Sequence, residues 1–468
     1  MNSVPTASSE TSTRLYQTIN PATDEVLDSF PQLTDSQIQE TLERAHAAFL
    51  EWRHVAVSRK VELFLRMADL IEGSRDDLAR LATLEMGKTL AQSQGEVSIV
   101  ASMFRYYADH APQMLADQEV AVPGFSNAYT RREPIGVVLG IEPWNVPMYQ
   151  AMRAAVPNLM LGNTVLLKPS EISAGSTLYF DKLFREAGFP ADVYQTSLIS
   201  REQVSQLISD IRVRAVTLTG SDRAGAEVGA QAGRNVKPVV LELGGSDAFI
   251  VLDSADVDKA VATAAAWRLA IGGQVCVSPK RIIVTEAVAD EFIEKFTQIF
   301  SNQIVGDPFD PSVTVGPLST KGAADSLQAQ YQDAIERGAT VLVPGGRMNG
   351  PGAFFRPAVL TGITEDMRVF SEEAFGPLGM IYRVPDADSA VRLANVSKYG
   401  LGGTVFGEDL EEAGRTASML DTGAVGINGF IGAPIEIPFG GTKSSGIGRE
   451  LGNTGMDPFA NVKTYGIA

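Results

Sequence analysis

Gly136-Val137-Val138-Leu139-Gly140-Ile141-Glu142-Pro143-Trp144-Asn145-Val146-Pro147 is a short apolar run broken by a turn that two prolines stiffen. Val137–Ile141 reads as a buried strand, and Met148–Leu161, just beyond the turn, reads as a helix. The alternation recurs downstream. Thr164–Lys168, Ala215–Thr219 and Pro238–Leu241 read as strands, with Ser173–Glu186 and Arg223–Ala232 as helices between them. Helices of this length between strands imply right-handed crossovers and therefore a parallel sheet. Ligands on such sheets bind beyond the carboxyl ends of the strands, where Lys168, Gly220 and Glu242 fall.

Upstream, the chain reads as helical. Ile38, Leu42, Ala45 and Phe49 share one face after a cap at Thr34 or Asp35; Val61, Phe64, Met67, Leu70 and Ile71 make a second stripe after Ser58. Downstream of Asp247, Ala248–Asp253, Arg281–Thr285, Thr340–Pro344 and Gly402–Phe406 suggest a second α/β unit interrupted by Gly- and Pro-rich loops. Gln118–Arg132 and the tail Phe459–Ile467 read as extended segments able to pair with another subunit.

A chain of 468 residues calls for two or three domains, and its 44% apolar and 20% charged content is that of a globular protein. The net charge of −17 is spread without long single-sign blocks, which disfavours a nucleic-acid groove or an anionic-membrane surface. Met1–Leu15 lacks signal-peptide regions, no apolar run approaches a membrane span, and a single cysteine forms no internal disulfide. The expectation is a cytoplasmic protein.

That single cysteine, Cys276, follows Gly272-Gly273, a pair that permits an accessible turn. Taken alone, a lone cysteine is usually a small buried hydrophobe. A cysteine nucleophile needs a base or a cation nearby, yet the three histidines, His46, His54 and His110, all lie in the N-terminal helical region. Glu242, inside the apolar run Val239–Leu243, is the candidate base, since burial raises a carboxyl toward the range useful for proton abstraction. Asn145, fixed between prolines after a strand, is the candidate donor to an oxyanion. The set suits covalent chemistry on a carbonyl, without a metal.

Further motifs accompany it: Asn20-Pro21-Ala22-Thr23, Lys168-Pro169-Ser170-Glu171, Gly220-Ser221, Glu372-Glu373-Ala374-Phe375-Gly376-Pro377 and Pro438-Phe439-Gly440-Gly441. In this order, over nearly the whole chain, they resemble the aldehyde dehydrogenase superfamily. The resemblance implies a Rossmann-type cofactor domain (1–117 and 133–244), an α/β catalytic domain (245–450) and a small β oligomerisation arm (118–132 and 455–468). It also implies a homodimer or homotetramer. Cys276 then resembles the nucleophile that forms a thiohemiacetal. Asn145 would hold the oxyanion, and Glu242 would activate the water that hydrolyses the thioester.

The same resemblance puts Ile141, Pro143 and Trp144 in the dinucleotide cleft, with Lys168, Ser170 and Glu171 at the adenosine ribose. Gly220 and Ser221 match the pyrophosphate turn, Glu373 the nicotinamide ribose, and Phe375 the aromatic beside that ring, with Leu243 and Gly244 also in the cofactor site. Glu171 favours NAD, because a carboxylate would bond a 2′-hydroxyl and repel a 2′-phosphate; Lys168 and Ser170 still admit NADP.

Arg153 lies two helical turns past Asn145 and resembles the substrate arginine of a short bacterial group of succinate-semialdehyde dehydrogenases. It could grip a substrate carboxylate or stand in a structural ion pair. Val146, Val275, Val277 and Phe439 would complete the pocket. Ala154, Ala270, Ile271 and Val146 replace polar or aromatic residues common there, which leaves an aromatic or medium-chain aliphatic aldehyde as an alternative. Glu242 disfavours a CoA-acylating enzyme, and the lack of a histidine near the cysteine disfavours a phosphorylating one. A non-catalytic binding protein on the same fold is the remaining alternative.

Overall fold

The computed structural model describes residues 15–468, so the reading of Met1–Arg14 lies outside the described residues. Two large sheets organise the chain. The first contains β5 (Val137–Ile141), β6 (Thr164–Lys168), β7 (Tyr194–Thr196), β8 (Val213–Thr219), β9 (Val239–Glu242) and β21 (Gly446–Ile447), in the order β21-β9-β8-β5-β6-β7. All its pairings are parallel except that of β21 with β9. The second contains β10 (Asp247–Val251), β11 (Pro279–Thr285), β12 (Thr340–Val343), β15 (Ala358–Thr361), β16 (Leu378–Val384), β18 (Gly402–Phe406) and β19 (Ala424–Ile427). Its order is β12-β15-β16-β11-β10-β18-β19, and only β12 runs antiparallel to its neighbour. The expected strands are all present, mostly shifted by one or two residues.

The N-terminal part is helical as read: α1 (Asp35–Trp52), α2 (Val57–Gly73), α3 (Arg75–Met86) and α4 (Leu90–Met114). Thr34 caps α1 in a capping box with Gln37. Ahead of them lies a hairpin that the stripe pattern does not reveal, β1 (Leu15–Ile19) paired with β2 (Val26–Pro31). α5 (Pro147–Leu161) is buried at every position, because it runs between the first sheet and the N-terminal helices. α6 (Ala174–Ala187), α7 (Arg201–Ser209) and α8 (Asp222–Arg234) complete the crossovers, and α9 (Val257–Leu269) follows β10.

Gln118–Arg132 and the C-terminal tail meet each other. β3 (Gln118–Glu119), β4 (Asn127–Pro134) and β22 (Ala460–Ile467) form a three-stranded antiparallel sheet with β4 in the middle. Two short pairs, β13 (Gly346–Arg347) with β14 (Phe355–Arg356) and β17 (Tyr399–Gly400) with β20 (Thr442–Lys443), pin loops around the second sheet. Among the described residues, no helix is long and apolar enough to cross a membrane, and no group of His, Cys, Asp and Glu is arranged to hold a metal.

Candidate active site

The carboxyl ends of the first sheet face the loop between α9 and β11, which carries Cys276. That loop is wound left-handed at three consecutive residues, Ile271, Gly272 and Gly273, with φ of 53°, 60° and 73°. For a β-branched residue such as Ile271 this is a strained conformation. A Cβ on Gly273 would stand 2.3 Å from the Gly376 carbonyl oxygen, so glycine is what lets the loop press against the Phe375 segment.

Two buried cations fasten the loop. Lys280 donates to the carbonyls of Val275 (2.9 Å) and Cys276 (2.7 Å), and its ammonium pairs with Glu373 at 2.9 Å. Arg268 donates to the carbonyls of Leu378 and Ala374, each at 2.9 Å, to that of Gly376, and to the Ser278 hydroxyl at 2.7 Å. Both act on backbone, so the position of Sγ is set without touching Sγ. Enclosure pushes the thiol up to about 11, against the pull of Lys280 and Arg153. The resting group is the thiol, and its proton must leave as the carbonyl arrives.

Asn145 follows β5 at the start of α5, with Pro147 as the first helical residue. Its Nδ2 donates to the Gln274 carbonyl at 3.0 Å, two residues before the nucleophile. One amide hydrogen therefore fixes the group and leaves the second for an oxygen bound near Cys276. Gln274 is itself held, accepting from the Ser319 N–H at 2.9 Å.

Glu242 ends β9, is 2% exposed, and neither carboxylate oxygen has a hydrogen-bond partner among the described residues. Burial pushes its carboxyl well above the usual range; Arg153 pulls it down and Glu450 pushes it further up. Arg153, also 2% exposed, pairs through Nε with Glu450 at 2.6 Å and donates from Nη2 to Thr219 Oγ1 at 2.9 Å. The Phe439 ring lies 5.2 Å from its guanidinium. Arg153 does not line the cleft; it sits behind the cleft, beside Glu242. In this structure it stands in the ion pair.

A cavity of about 230 Å³ joins Cys276 and Asn145, while Glu242 and Arg153 lie behind its wall and do not line it. Cys276, Asn145, Pro143 and Trp144 line it with Gly220, Ser221, Leu243, Gly244, Glu373 and Phe375, all singled out in the sequence. Gln150 and Thr219, which the sequence reading passed over, line it too. Val275 and Val277 are buried on either side of the nucleophile, in the same apolar cluster as Phe439 and Tyr149, with Val146 packed against it. These side chains surround Cys276 with apolar core and do not line the cavity.

The other half suits a dinucleotide. Trp144 meets Phe375 edge-on, ring centroids 5.7 Å apart. Glu373 is held by Lys280 and by the Gly245 N–H at 3.2 Å, and a Cβ on Gly244 would stand 2.5 Å from its carboxylate. Ser221 caps α8, so a helix N-terminus with its free N–H groups opens on the cleft, a ready site for pyrophosphate. At the far end Ile141 and Lys168 close adjacent strands, and Ser170 and Glu171 occupy the turn that follows. Burial lowers the Lys168 ammonium to about 8; Glu171 counters this, while Arg201 at the start of α7 adds to it. The residues present fit a nicotinamide dinucleotide.

Residues 7–465 match the sequence profile of the Aldehyde dehydrogenase family. The chain belongs to this family. An aldehyde dehydrogenase of this kind has a named relative in Deinococcus radiodurans, "Succinate-semialdehyde dehydrogenase [NADP(+)]", 48% identical over 463 residues, which are 99% of this chain and 97% of that one. Among solved structures, the succinic semialdehyde dehydrogenase of Streptococcus pyogenes in complex with NADP+ superposes with a TM-score of 0.94 at 40% identity, covering 97% of this chain and 99% of that one. A salicylaldehyde dehydrogenase from Pseudomonas putida G7 superposes with a TM-score of 0.93 at 32% identity, covering 97% and 94%. The α/β aldehyde dehydrogenase fold and the activity class, an NAD(P)-dependent oxidoreductase, therefore stand.

Proposed function

We propose that this aldehyde dehydrogenase oxidises succinate semialdehyde, or a similar acidic semialdehyde, to the acid, with NADP as acceptor. The near full-length likeness to the Deinococcus radiodurans protein carries the reading. Cys276 adds to the aldehyde carbon as its S–H bond breaks and the proton passes to solvent in the cleft, giving a thiohemiacetal whose oxyanion takes the free Asn145 N–H. A nicotinamide dinucleotide bound in the cleft supplies the hydride acceptor. Glu242 then removes a proton from the water that cleaves the thioester, and the acid leaves.

The cofactor preference inverts the one drawn from Glu171 alone. Glu171 and Arg201 are both exposed, so water screens both, but Lys168 and Arg201 together set two positive charges against the one negative charge of Glu171. Arg201→Ala is expected to lower kcat/KM with NADP several-fold and leave that with NAD nearly unchanged; parallel losses would count against this assignment.

The deciding experiment compares kcat/KM for succinate semialdehyde, benzaldehyde and hexanal with each cofactor. Succinate semialdehyde with NADP should give the highest kcat/KM of the set, as the likeness to the Deinococcus radiodurans protein leads one to expect. A lead for benzaldehyde would instead support an aromatic substrate, the reading favoured by the apolar residues Val146, Val275, Val277 and Phe439 around Cys276.

Arg153→Leu separates its two roles. Paired with Glu450 and buried, it is expected to serve as the cation of an acidic cluster, so its loss should lower kcat for succinate semialdehyde and hexanal alike. It should also destabilise the fold by about 3–5 kcal/mol, as removing one partner of a buried pair does. A rise in KM confined to succinate semialdehyde would restore the carboxylate-gripping role.

Residues 1–117 and 133–244 would then serve the cofactor, 245–450 the aldehyde, and 118–132 with 455–468 a second subunit. The exposed Val120, Val122, Phe125, Val462 and Ile467 on and beside β3, β4 and β22 support that last assignment.

A further inference from the structure

Glu142 has no role in the steps above, yet it is 4% exposed and neither of its carboxylate oxygens has a hydrogen-bond partner among the described residues. Its place follows from the register of the first sheet. Ile141 stands opposite both Lys168 and Leu218, and Thr219 stands opposite Glu242. Glu142 continues the ladder, its N–H donating to the Lys168 carbonyl at 3.0 Å. Glu142, Thr219 and Glu242 are thus one row across the ends of β5, β8 and β9, and residues of one row share a face.

α5 covers that face. A Cβ on Gly140 would lie 3.5 Å from Ala154 of α5 and 3.8 Å from Glu142 Oε1, so the absence of a side chain at 140 leaves room for the carboxyl beneath the helix. Arg153 of the same helix reaches Thr219, the middle member of the row.

The charges around the row do not balance. Glu450 takes the Arg153 guanidinium at 2.6 Å and accepts from the Thr217 hydroxyl at 2.7 Å. Arg449, from the C-terminal loop, donates to the carbonyls of Gly441 and Gly448 and acts on Glu242 only at longer range. The other groups that feel the cluster are the phenols of Tyr107, Tyr149 and Tyr194 and the Cys276 thiol, all held neutral by burial. Glu142 and Glu242 are left without a counterion of their own. Besides burial, Glu242 raises the Glu142 carboxyl, so charge on one member of the row is felt by the other.

We propose that Glu142 and Glu242 form a coupled carboxyl pair, spanned by Thr219 and centred on Arg153, in which Glu142 keeps Glu242 a strong base for the hydrolytic water. The inference rests on the assignment of Glu242 as that base. As water adds to the thioester carbon, its O–H bond breaks and the proton goes to Glu242. The C–S bond then breaks, its electron pair remaining on the Cys276 sulfur. Negative charge on Glu142 makes Glu242 hold that proton more tightly. Burial pushes both carboxyls upward, the neighbouring Glu450 adds to the effect on each, and Arg153 pulls each down. Glu142 touches neither substrate nor cofactor; it is a positioning residue that acts through Glu242.

The test is the pH profile of deacylation, read as decay of the acyl-enzyme by rapid quench and intact mass. Glu142→Gln keeps the shape and removes the charge, and should move the acid limb down by about one pH unit or more. Glu142→Asp, which keeps the charge, should return the limb toward that of the unsubstituted enzyme. A limb unmoved in Glu142→Gln overturns the proposal, because a carboxyl that only fills space would not shift it. Glu242→Gln run alongside separates the two claims. If it stalls deacylation while the Glu142→Gln limb stays put, only the pairing fails; if it does not stall, the base assignment fails and the pairing with it. Should Glu142→Gln not fold, the infrared band of buried neutral carboxyl is followed in the unsubstituted enzyme and in Glu242→Gln, so that Glu85, Asp181 and Asp247, also raised by burial, cancel in the comparison. The Glu142 band must lose its proton at lower pH in Glu242→Gln; an unmoved band overturns the pairing.

Discussion

Cys276→Ala is expected to lower kcat by roughly 10⁴-fold or more, the scale of loss when a covalent nucleophile is removed. Cofactor affinity should stay within about twofold, because no cofactor-side contact passes through sulfur. Lys280 holds the carbonyls of residues 275 and 276, and Glu373 is held by Lys280 and Gly245; none of these bonds depends on the side chain at 276. Steady-state absorbance of the reduced dinucleotide gives the first quantity, and quenching of protein fluorescence on dinucleotide addition gives the second. Aldehyde oxidation retained in the alanine variant would sink the nucleophile assignment.

Glu242→Gln should be nearly as damaging, by a different route. Acylation needs only Cys276, Asn145 and the bound cofactor, so one equivalent of reduced dinucleotide per site should appear quickly. Turnover should then stall by about 10²–10⁴-fold, the usual contribution of a general base. The acyl-enzyme should be visible in the intact mass. Stability should hold, since the substitution replaces a carboxyl whose burial already favours the neutral form and leaves the Arg153–Glu450 pair intact. Fast hydrolysis without a detectable adduct would falsify the role of Glu242.

Much of the site was legible because its chemistry sits at strand ends, and strand ends are where apolar runs stop. Asn145 follows the run Val137–Ile141, and Glu242 closes Val239–Glu242. Cys276 stood out by being alone. The strand Gly402–Phe406 was read to the residue. What stayed hidden has a common cause: it depends on partners that leave no sequence signature. Lys280 and Arg268 act on backbone carbonyls, which every residue has, so each reads as an ordinary cation near an apolar stretch. Glu142 joins Glu242 and Glu450 only through the register of three strands and a returning loop. Arg153 was noticed, but its partner lies 297 residues away, and the bond to Glu450 is what distinguishes an ion pair from a substrate grip. The hairpin of β1 and β2 escaped because β2 is almost wholly exposed and offers no alternation of buried and exposed positions.

One thiol in 468 residues, opening on the cleft, has a consequence beyond the reaction it carries out. If an oxidant takes Cys276 to the sulfenic acid, the chain offers no second cysteine with which to close a disulfide. No second thiol of the chain can shield the sulfur from further oxidation to the irreversible sulfinic acid, so rescue by disulfide exchange depends on a thiol from outside entering the same cleft. A bound dinucleotide or aldehyde in that cleft therefore guards the sulfur and also bars its rescue.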